Sequence, residues 1–150
     1  MARHAHHLIS PLKIMSWNIQ EGGDDRLDAI AVVMRANKPD CLALLEADSL
    51  SNAEALASEL GMTLSYGAAN CPSAVAWLTA QTPVNAENHR LPQLAKTLLE
   101  IELEWNGAPL RLFATHLGSR WKSSNRWTRS SPFSRCWTSG EATAMSSPET

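Results

Sequence analysis

Apolar residues recur with two different periods in the first part of the chain. Residues 12–19 form a short apolar stretch closed by two glycines, which is typical of a buried strand. Residues 27–34 place apolar side chains at positions i, i+3, i+4 and i+7, the period of an amphipathic helix. We expect this helix to be capped by Asp24 or Asp25 and to stop before Lys38-Pro39.

A second strand and a second helix follow. Residues 41–45 are continuously apolar, the pattern of a strand covered on both faces, and Glu46 comes directly after them. Ser51 and Glu54 have the spacing of a capping box, and the helix that they predict ends at Gly61. Glu46 is therefore expected at the carboxyl end of a buried strand.

Four further strands are predicted, over residues 62–66, 74–79, 98–105 and 110–115. In the third of these, apolar residues alternate with Glu100, Glu102 and Glu104, so we expect the glutamates on a solvated face rather than in a metal site. Asn106-Gly107 predicts a β-hairpin between the last two strands. His116 would then lie just past the hairpin's second strand.

Composition narrows the class of protein. The 150 residues suit one domain, expected over residues 12–120 after a flexible leader over residues 1–11. A formal net charge of −2 gives no basic field of the kind that drives sequence-independent binding to nucleic acid. Cys41, Cys71 and Cys136 lack metal-ligand spacing and are odd in number, which favours a reducing cytoplasm. No apolar run approaches the roughly 20 residues that span a bilayer, so we expect no membrane association.

Three segments resemble signature strands of the endonuclease/exonuclease/phosphatase superfamily. Residues 13–20 contain the sequence W-N-I, residues 39–46 resemble the P-D-x-(apolar)-Q-E strand, and residues 112–117 resemble the T-H-L strand end. Residues 73–84 resemble a weaker fourth segment. The four occur in the family's order and cover about residues 12–120.

The resemblance implies a fold, a reaction and a set of site residues. The fold would be α/β (α+β): a DNase I-like four-layer β-sandwich with outer helices, present only as its N-terminal half. The reaction would be hydrolysis of a phosphate ester with Mg²⁺ or Mn²⁺. Glu46 would hold the metal, and Asn18 and His116 would be catalytic. The substrate, nucleic acid or a small phosphodiester, is left open, as is the oligomeric state.

The residue types suit that chemistry. Mg²⁺ prefers oxygen ligands such as the Glu46 carboxylate. The Asn18 amide can donate to a phosphate oxygen without adding negative charge, and the His116 imidazole can stabilise or protonate a developing charge. Taken singly, each residue has a plainer interpretation: a turn asparagine, a surface charge and a polar strand end. An unrelated small α/β domain would leave the three far apart.

The last thirty residues differ from the rest in composition. Residues 121–150 contain no Leu, Ile or Val, but eight Ser and three Trp. We expect this tail to be unstructured and translated in a shifted frame. When each codon is read from its third base, Cys136-Trp137 must encode Leu and Trp137-Thr138 must encode Asp. From Met145 onward, the shifted codons permit V-V-A-G-D, which resembles the start of the family's G-D-F-N motif.

The tail determines what activity we expect. Without G-D-F-N and the later Asp-His pair, the resemblance implies a truncated enzyme with weak or no activity, since residues that act as a unit are lost together. It also implies that the inner face of the first sheet is left uncovered. The alternative is a non-catalytic binding or regulatory module that uses Trp121, Trp127 and Trp137 as partner contacts.

Overall fold

The computed structural model describes residues 10–117, which form two β-sheets packed face to face. The first sheet has the strand order β1-β2-β4-β3, and the second has the order β5-β6-β7. The first sheet is built from β1 Ile14–Asn18, β2 Cys41–Leu45, β3 Thr63–Gly67 and β4 Val75–Thr79, with helices α1 Leu27–Asn37 and α2 Leu50–Leu60. The second contains β5 Asn85–His89, β6 Leu98–Trp105 and β7 Ala108–Thr115.

Helix α1 carries the predicted apolar stripe but begins differently from the prediction. Ile30, Ala31 and Met34 are buried, which confirms the buried face. The residue before the helix is Arg26, which makes no side-chain cap. Asp24 and Asp25 belong instead to a 3-10 helical segment, Glu21–Arg26, in which Asp24 has a left-handed φ of 42°. The predicted aspartate cap is therefore wrong, because both aspartates precede the N-cap position and Asp24 has non-helical backbone angles.

Helix α2 starts two residues before the predicted capping box. Ser49, not Ser51, is the N-cap, and its side-chain oxygen accepts a hydrogen bond from the Asn52 backbone N–H at 3.2 Å. The predicted end is confirmed, since Gly61 caps the helix with a φ of 65°. Serines at both positions made the two starts indistinguishable by residue type.

One apolar core lies on each side of β2. Leu42 and Leu44 pack with the helices, whereas Cys41 and Ala43 pack between the two sheets. The first four residues of the strand are fully buried, which confirms a strand covered on both faces. Burial, with a smaller contribution from Asp40, raises the pKa of the Cys41 thiol to about 11, so this side chain stays protonated and packs as an apolar group.

The second sheet covers most of the inner face of the first, contrary to the expectation that this face would be bare. Val75 and Trp77 of the first sheet pack against Leu99 and Ile101 of the second. Strand β1 is the exception: Ile14 is 49% exposed, beside a cavity of about 370 Å³ between the sheets. The expected burial of β1 is therefore correct only for its helix-facing side. Three of the four expected layers lie within the described residues.

The hairpin between β6 and β7 is confirmed. Asn106 and Gly107 both have positive φ, 53° and 78°, as the favoured two-residue turn requires. The glutamates of β6 lie on the outer face, but Glu100 is only 16% exposed and pairs with His89 at 2.8 Å. Strand β5 was not predicted, because the sequence Asn-Ala-Glu-Asn-His has few strand-forming residues.

The rest of the chain lies outside the described residues. Residues 1–9 of the predicted leader and the whole tail, including the proposed frameshift and the three tail tryptophans, belong to that part. Among the described residues, neither helix has the length and apolarity needed to cross a membrane.

Two glycines with similar backbone angles give a matched test of packing in the loop after β1. A Cβ on Gly22 (φ 74°) would lie 2.7 Å from the Ser49 backbone nitrogen, whereas one on Gly61 (φ 65°) would meet nothing within 4 Å. We expect Gly61→Ala to lower the free energy of unfolding by about 1–2 kcal/mol. Gly22→Ala should cost at least about 1 kcal/mol more, because backbone at the start of α2 must move.

Urea unfolding followed by circular dichroism measures both variants. Equal losses of stability for Gly22→Ala and Gly61→Ala would show that the loop does not press against Ser49.

Candidate active site

The parallel pairing of β1 with β2 brings two of the predicted site residues to one edge. In this register Asn18 lies opposite Leu45, so Glu46 follows the strand end directly beside Asn18. Because the strands are parallel, both carboxyl ends point the same way. Asn18 and Glu46, each predicted to lie at the end of a strand, are therefore neighbours in space.

Glu46 departs from the strand with a strained backbone. Its φ is 55°, in the left-handed region that residues other than glycine rarely adopt. Its carbonyl oxygen accepts a hydrogen bond from the Gly22 N–H at 2.7 Å, and the next residue, Ala47, donates to the Ala74 carbonyl oxygen at 2.9 Å. These contacts hold the turn on two sides and leave the carboxylate 26% exposed.

The Asn18 amide is oriented by two partners. Its Nδ2 donates to Glu46 Oε1 at 2.8 Å, and its Oδ1 accepts from the Gln20 backbone N–H at 2.9 Å. The amide therefore turns its nitrogen toward the carboxylate and its oxygen toward the loop. The hydrogen bond from Asn18 therefore fixes the position of Glu46 Oε1.

His116 reaches the same carboxylate from the second sheet. It follows β7, and its Nε2 lies 3.4 Å from Glu46 Oε1 with the imidazole 21% exposed. The three predicted residues thus meet around one carboxylate oxygen, although two come from the first sheet and one from the second. The site depends on the packing of the sheets as well as on β1 and β2. Their metal-binding and catalytic roles remain predictions.

Asp48 anchors the backbone that leads into β4. Its Oδ1 accepts hydrogen bonds from the backbone N–H groups of Ser73 at 2.6 Å and Ala74 at 2.8 Å. Ser73 is 3% exposed and has a φ of 136°. A short acidic side chain often binds backbone N–H groups within a turn, but the partners of Asp48 lie 25 and 26 residues away, beyond any local pattern.

Lys96 was missed by the sequence analysis. Its ammonium nitrogen contacts Ser73 Oγ and lies 3.5 Å from His116 Nδ1. Asn70 holds the loop that precedes Lys96: its Nδ2 donates to the carbonyl oxygens of Leu91 at 2.7 Å and Leu94 at 2.6 Å. No spacing in the sequence marks Lys96, because its contacts come from the meeting of three separate segments.

Tyr66 stabilises the turn that follows Glu46. Its hydroxyl donates to the Ala47 carbonyl oxygen at 2.9 Å. Burial, and to a lesser extent the Asp48 charge, raises the pKa of the phenol, so it remains a hydrogen-bond donor. Asp40 lies at the opposite end of β2 from Glu46, and its carboxylate accepts from the Lys13 N–H at 2.8 Å.

The structure is similar to several solved structures. It matches truncated TDP2 of Caenorhabditis elegans with a TM-score of 0.58 at 25% identity, covering 72% of this chain and 47% of that one. A mannosyl-6-phosphatase of Bacteroides thetaiotaomicron matches with a TM-score of 0.61 at 12% identity, covering 75% and 54%. TDP2 of D. rerio, complexed with a single-strand DNA product, matches with a TM-score of 0.61 at 20% identity, covering 75% and 48%.

These matches concern fold over part of each relative. The chain spans about half the length of the solved structures that it matches. No protein-family profile and no curated protein sequence matches the chain.

Asp48 offers a test of how the site is held. In Asp48→Ala, two backbone N–H groups beneath Lys96 lose their charged acceptor, so we expect the free energy of unfolding to fall by about 2–3 kcal/mol. Asp48→Asn keeps an oxygen acceptor and should lose about half as much. Asp40→Ala is the control, since it removes one exposed contact of the same kind.

Chemical denaturation of the three variants provides the comparison. If Asp48→Ala is no less stable than Asp40→Ala, the support assigned to Asp48 is wrong.

Proposed function

We propose that the described part of the chain, which has the DNase I-like fold, carries part of the active site of a phosphoesterase of the endonuclease/exonuclease/phosphatase superfamily that depends on Mg²⁺ or Mn²⁺. One observation carries the proposal: Glu46 Oε1 is shared by Asn18 Nδ2 at 2.8 Å and His116 Nε2 at 3.4 Å. A carboxylate flanked by an amide and an imidazole combines a hard oxygen ligand with two groups that can act on a phosphate.

The donor set suits a hard divalent cation. Glu46 supplies carboxylate oxygen at a partly exposed strand end, and a single carboxylate with waters and phosphate oxygens is a usual environment for Mg²⁺. When bound, the cation would neutralise charge on the phosphate oxygens. The Asn18 hydrogen bond would keep the Glu46 side chain in one orientation, which lowers the entropy lost on binding.

We assign His116 as the side chain nearest the scissile phosphate. Its Nε2 faces the same space as the Glu46 carboxylate, so a donor there can stabilise or protonate a developing negative charge. Asn18, on the other side of Glu46, supplies a neutral amide that adds no repulsion to an anionic substrate. These roles follow from the family resemblance and are supported by the observed distances.

The substrate class is a phosphate ester. One matched structure is a TDP2 complex with single-strand DNA and another is a sugar-phosphate phosphatase, so nucleic acid and small phosphate esters both remain candidates. The net charge of −2 favours recognition through the local site rather than through a long-range field. We further propose a reducing, cytoplasmic location, in keeping with the free thiols of Cys41 and Cys71.

Metal binding gives the direct test of the site. In a Mn²⁺ titration followed by electron paramagnetic resonance, we expect Glu46→Gln to bind at least about 10-fold more weakly than the unchanged chain, because a charged ligand becomes neutral. Asp40→Asn removes a carboxylate at the other end of β2 and should leave binding unchanged. Glu100→Gln controls for the group formed by Glu87, His89 and Glu100, which could itself take an ion.

Retained affinity in Glu46→Gln would overturn the metal assignment. Loss of affinity in Glu100→Gln alone would move the binding site to the outer face of the second sheet.

We propose that this chain hydrolyses phosphate esters weakly or not at all. Among residues 10–117 nothing matches the family's G-D-F-N motif or the Asp-His pair that activates water. A chain without those residues would lose nearly the whole rate enhancement, because they act as a unit. Turnover of bis-p-nitrophenyl phosphate with Mg²⁺ should therefore lie close to that of a Glu46→Ala control. Turnover well above that control, and abolished by His116→Asn, would contradict weak activity while supporting the site.

A further inference from the structure

A line of contacts runs from the first sheet to the imidazole of His116. Asp48 holds the Ser73 backbone, Ser73 Oγ accepts from the Lys96 ammonium, and that ammonium lies 3.5 Å from His116 Nδ1. The opposite ring nitrogen, Nε2, lies 3.4 Å from Glu46 Oε1. The two nitrogens of one ring therefore face a cation on one side and an anion on the other.

The chemistry of these partners determines where the ring proton can lie. An ammonium group has three donors and no acceptor, so the nitrogen that it faces must present a lone pair. An ionised carboxylate only accepts, so the nitrogen beside it must carry the hydrogen. Both neighbours favour the same neutral tautomer, with Nδ1 bare and hydrogen on Nε2. The opposite tautomer would set N–H against ammonium and a lone pair against carboxylate.

We propose that Lys96 is a positioning residue that fixes His116 in the Nε2–H tautomer. The tautomer assignment stands on the contacts alone. Its use, an N–H aimed at a phosphate oxygen beside Glu46, rests on the proposed function. Lys96 would act through His116, because Lys96 contacts Nδ1, which lies on the opposite side of the ring from Glu46.

Lys96 is itself held in place, which makes it suitable for this role. The loop that carries it is pinned by Asn70, whose backbone N–H also donates to the Ala95 carbonyl oxygen at 3.2 Å. Ser73, which Lys96 also contacts, is buried, and its backbone is anchored by Asp48. Because these anchors belong to backbone and buried groups, the ammonium is not a freely moving surface charge, and its effect on the ring is directional.

The ring nitrogens can be observed directly by ¹⁵N NMR of the full 150-residue chain labelled at histidine. The chemical shift of each ring nitrogen reports whether that nitrogen carries hydrogen. His116→Asn identifies the His116 signals by subtraction. We expect the unchanged chain to show Nδ1 at the unprotonated position and Nε2 at the protonated one.

Glu46 also favours this tautomer, so the decisive comparison uses Glu46→Gln as background. There, Glu46→Gln alone should retain the Nε2–H tautomer, whereas Glu46→Gln with Lys96→Met should move Nδ1 toward the protonated shift and Nε2 away from it. Lys96→Arg in the same background keeps the cation and should restore the original pattern. Circular dichroism of each variant separates a change in tautomer from a loss of structure.

Two results would overturn the proposal: a protonated Nδ1 in the unchanged chain, or identical ring shifts with and without Lys96 in the folded double variant. Should Lys96→Met unfold the chain, Lys96→Ala in the same Glu46→Gln background provides the second route, and ring shifts unchanged by it would also contradict the proposal. Failure of Mn²⁺ binding would overturn the proposed function and leave the tautomer result standing.

Discussion

The parallel pairing of β1 with β2 is the constraint on which the rest of the site depends. Antiparallel neighbours would send Asn18 and Glu46 to opposite ends of the sheet, whereas the observed register places them side by side. A parallel pair needs a crossover connection, and α1 supplies it while burying its apolar stripe on the first sheet. The helix-facing core therefore also holds the two strand ends in register. Sheet-to-sheet packing then adds His116, so that loosening either core would separate the three side chains.

Much of this arrangement could be predicted from local pattern, because strand ends and tight turns have strong local causes. The continuous apolar run before Glu46 and the Asn106-Gly107 turn both specify where a strand ends, and the structure agrees. The starts of the helices could not be predicted as well. Gln20, Glu21 and Asp24 all have positive φ in the loop after β1, and this backbone path, held by contacts from α2 and Arg26, decides where the helix begins.

The residues that support the site, Asp48 and Lys96, could not be predicted from the sequence for a different reason. Asp48 and Lys96 are ordinary polar residues in sequence, and their importance arises from partners that lie more than 19 positions away. Family resemblance named the groups that would act on substrate, but not the groups that orient them. A lysine beside an imidazole is also hard to foresee on physical grounds, because both side chains can carry a positive charge. In the proposed tautomer, the bare ring nitrogen would accept from the ammonium.

The exposure of β1 has a direct consequence for the electrostatics of the site. Side chains alternate along a strand, so Asn18 shares a face with Ile14 and Ser16, the face that the second sheet leaves uncovered beside the inter-sheet cavity. Water reaches Glu46 and His116, which are 26% and 21% exposed. In such a setting charges interact through an effective dielectric nearer to that of a protein surface than of a dry interior, and each electrostatic contact is correspondingly weaker. The described site therefore combines access to solvent with weak electrostatic contacts between its side chains.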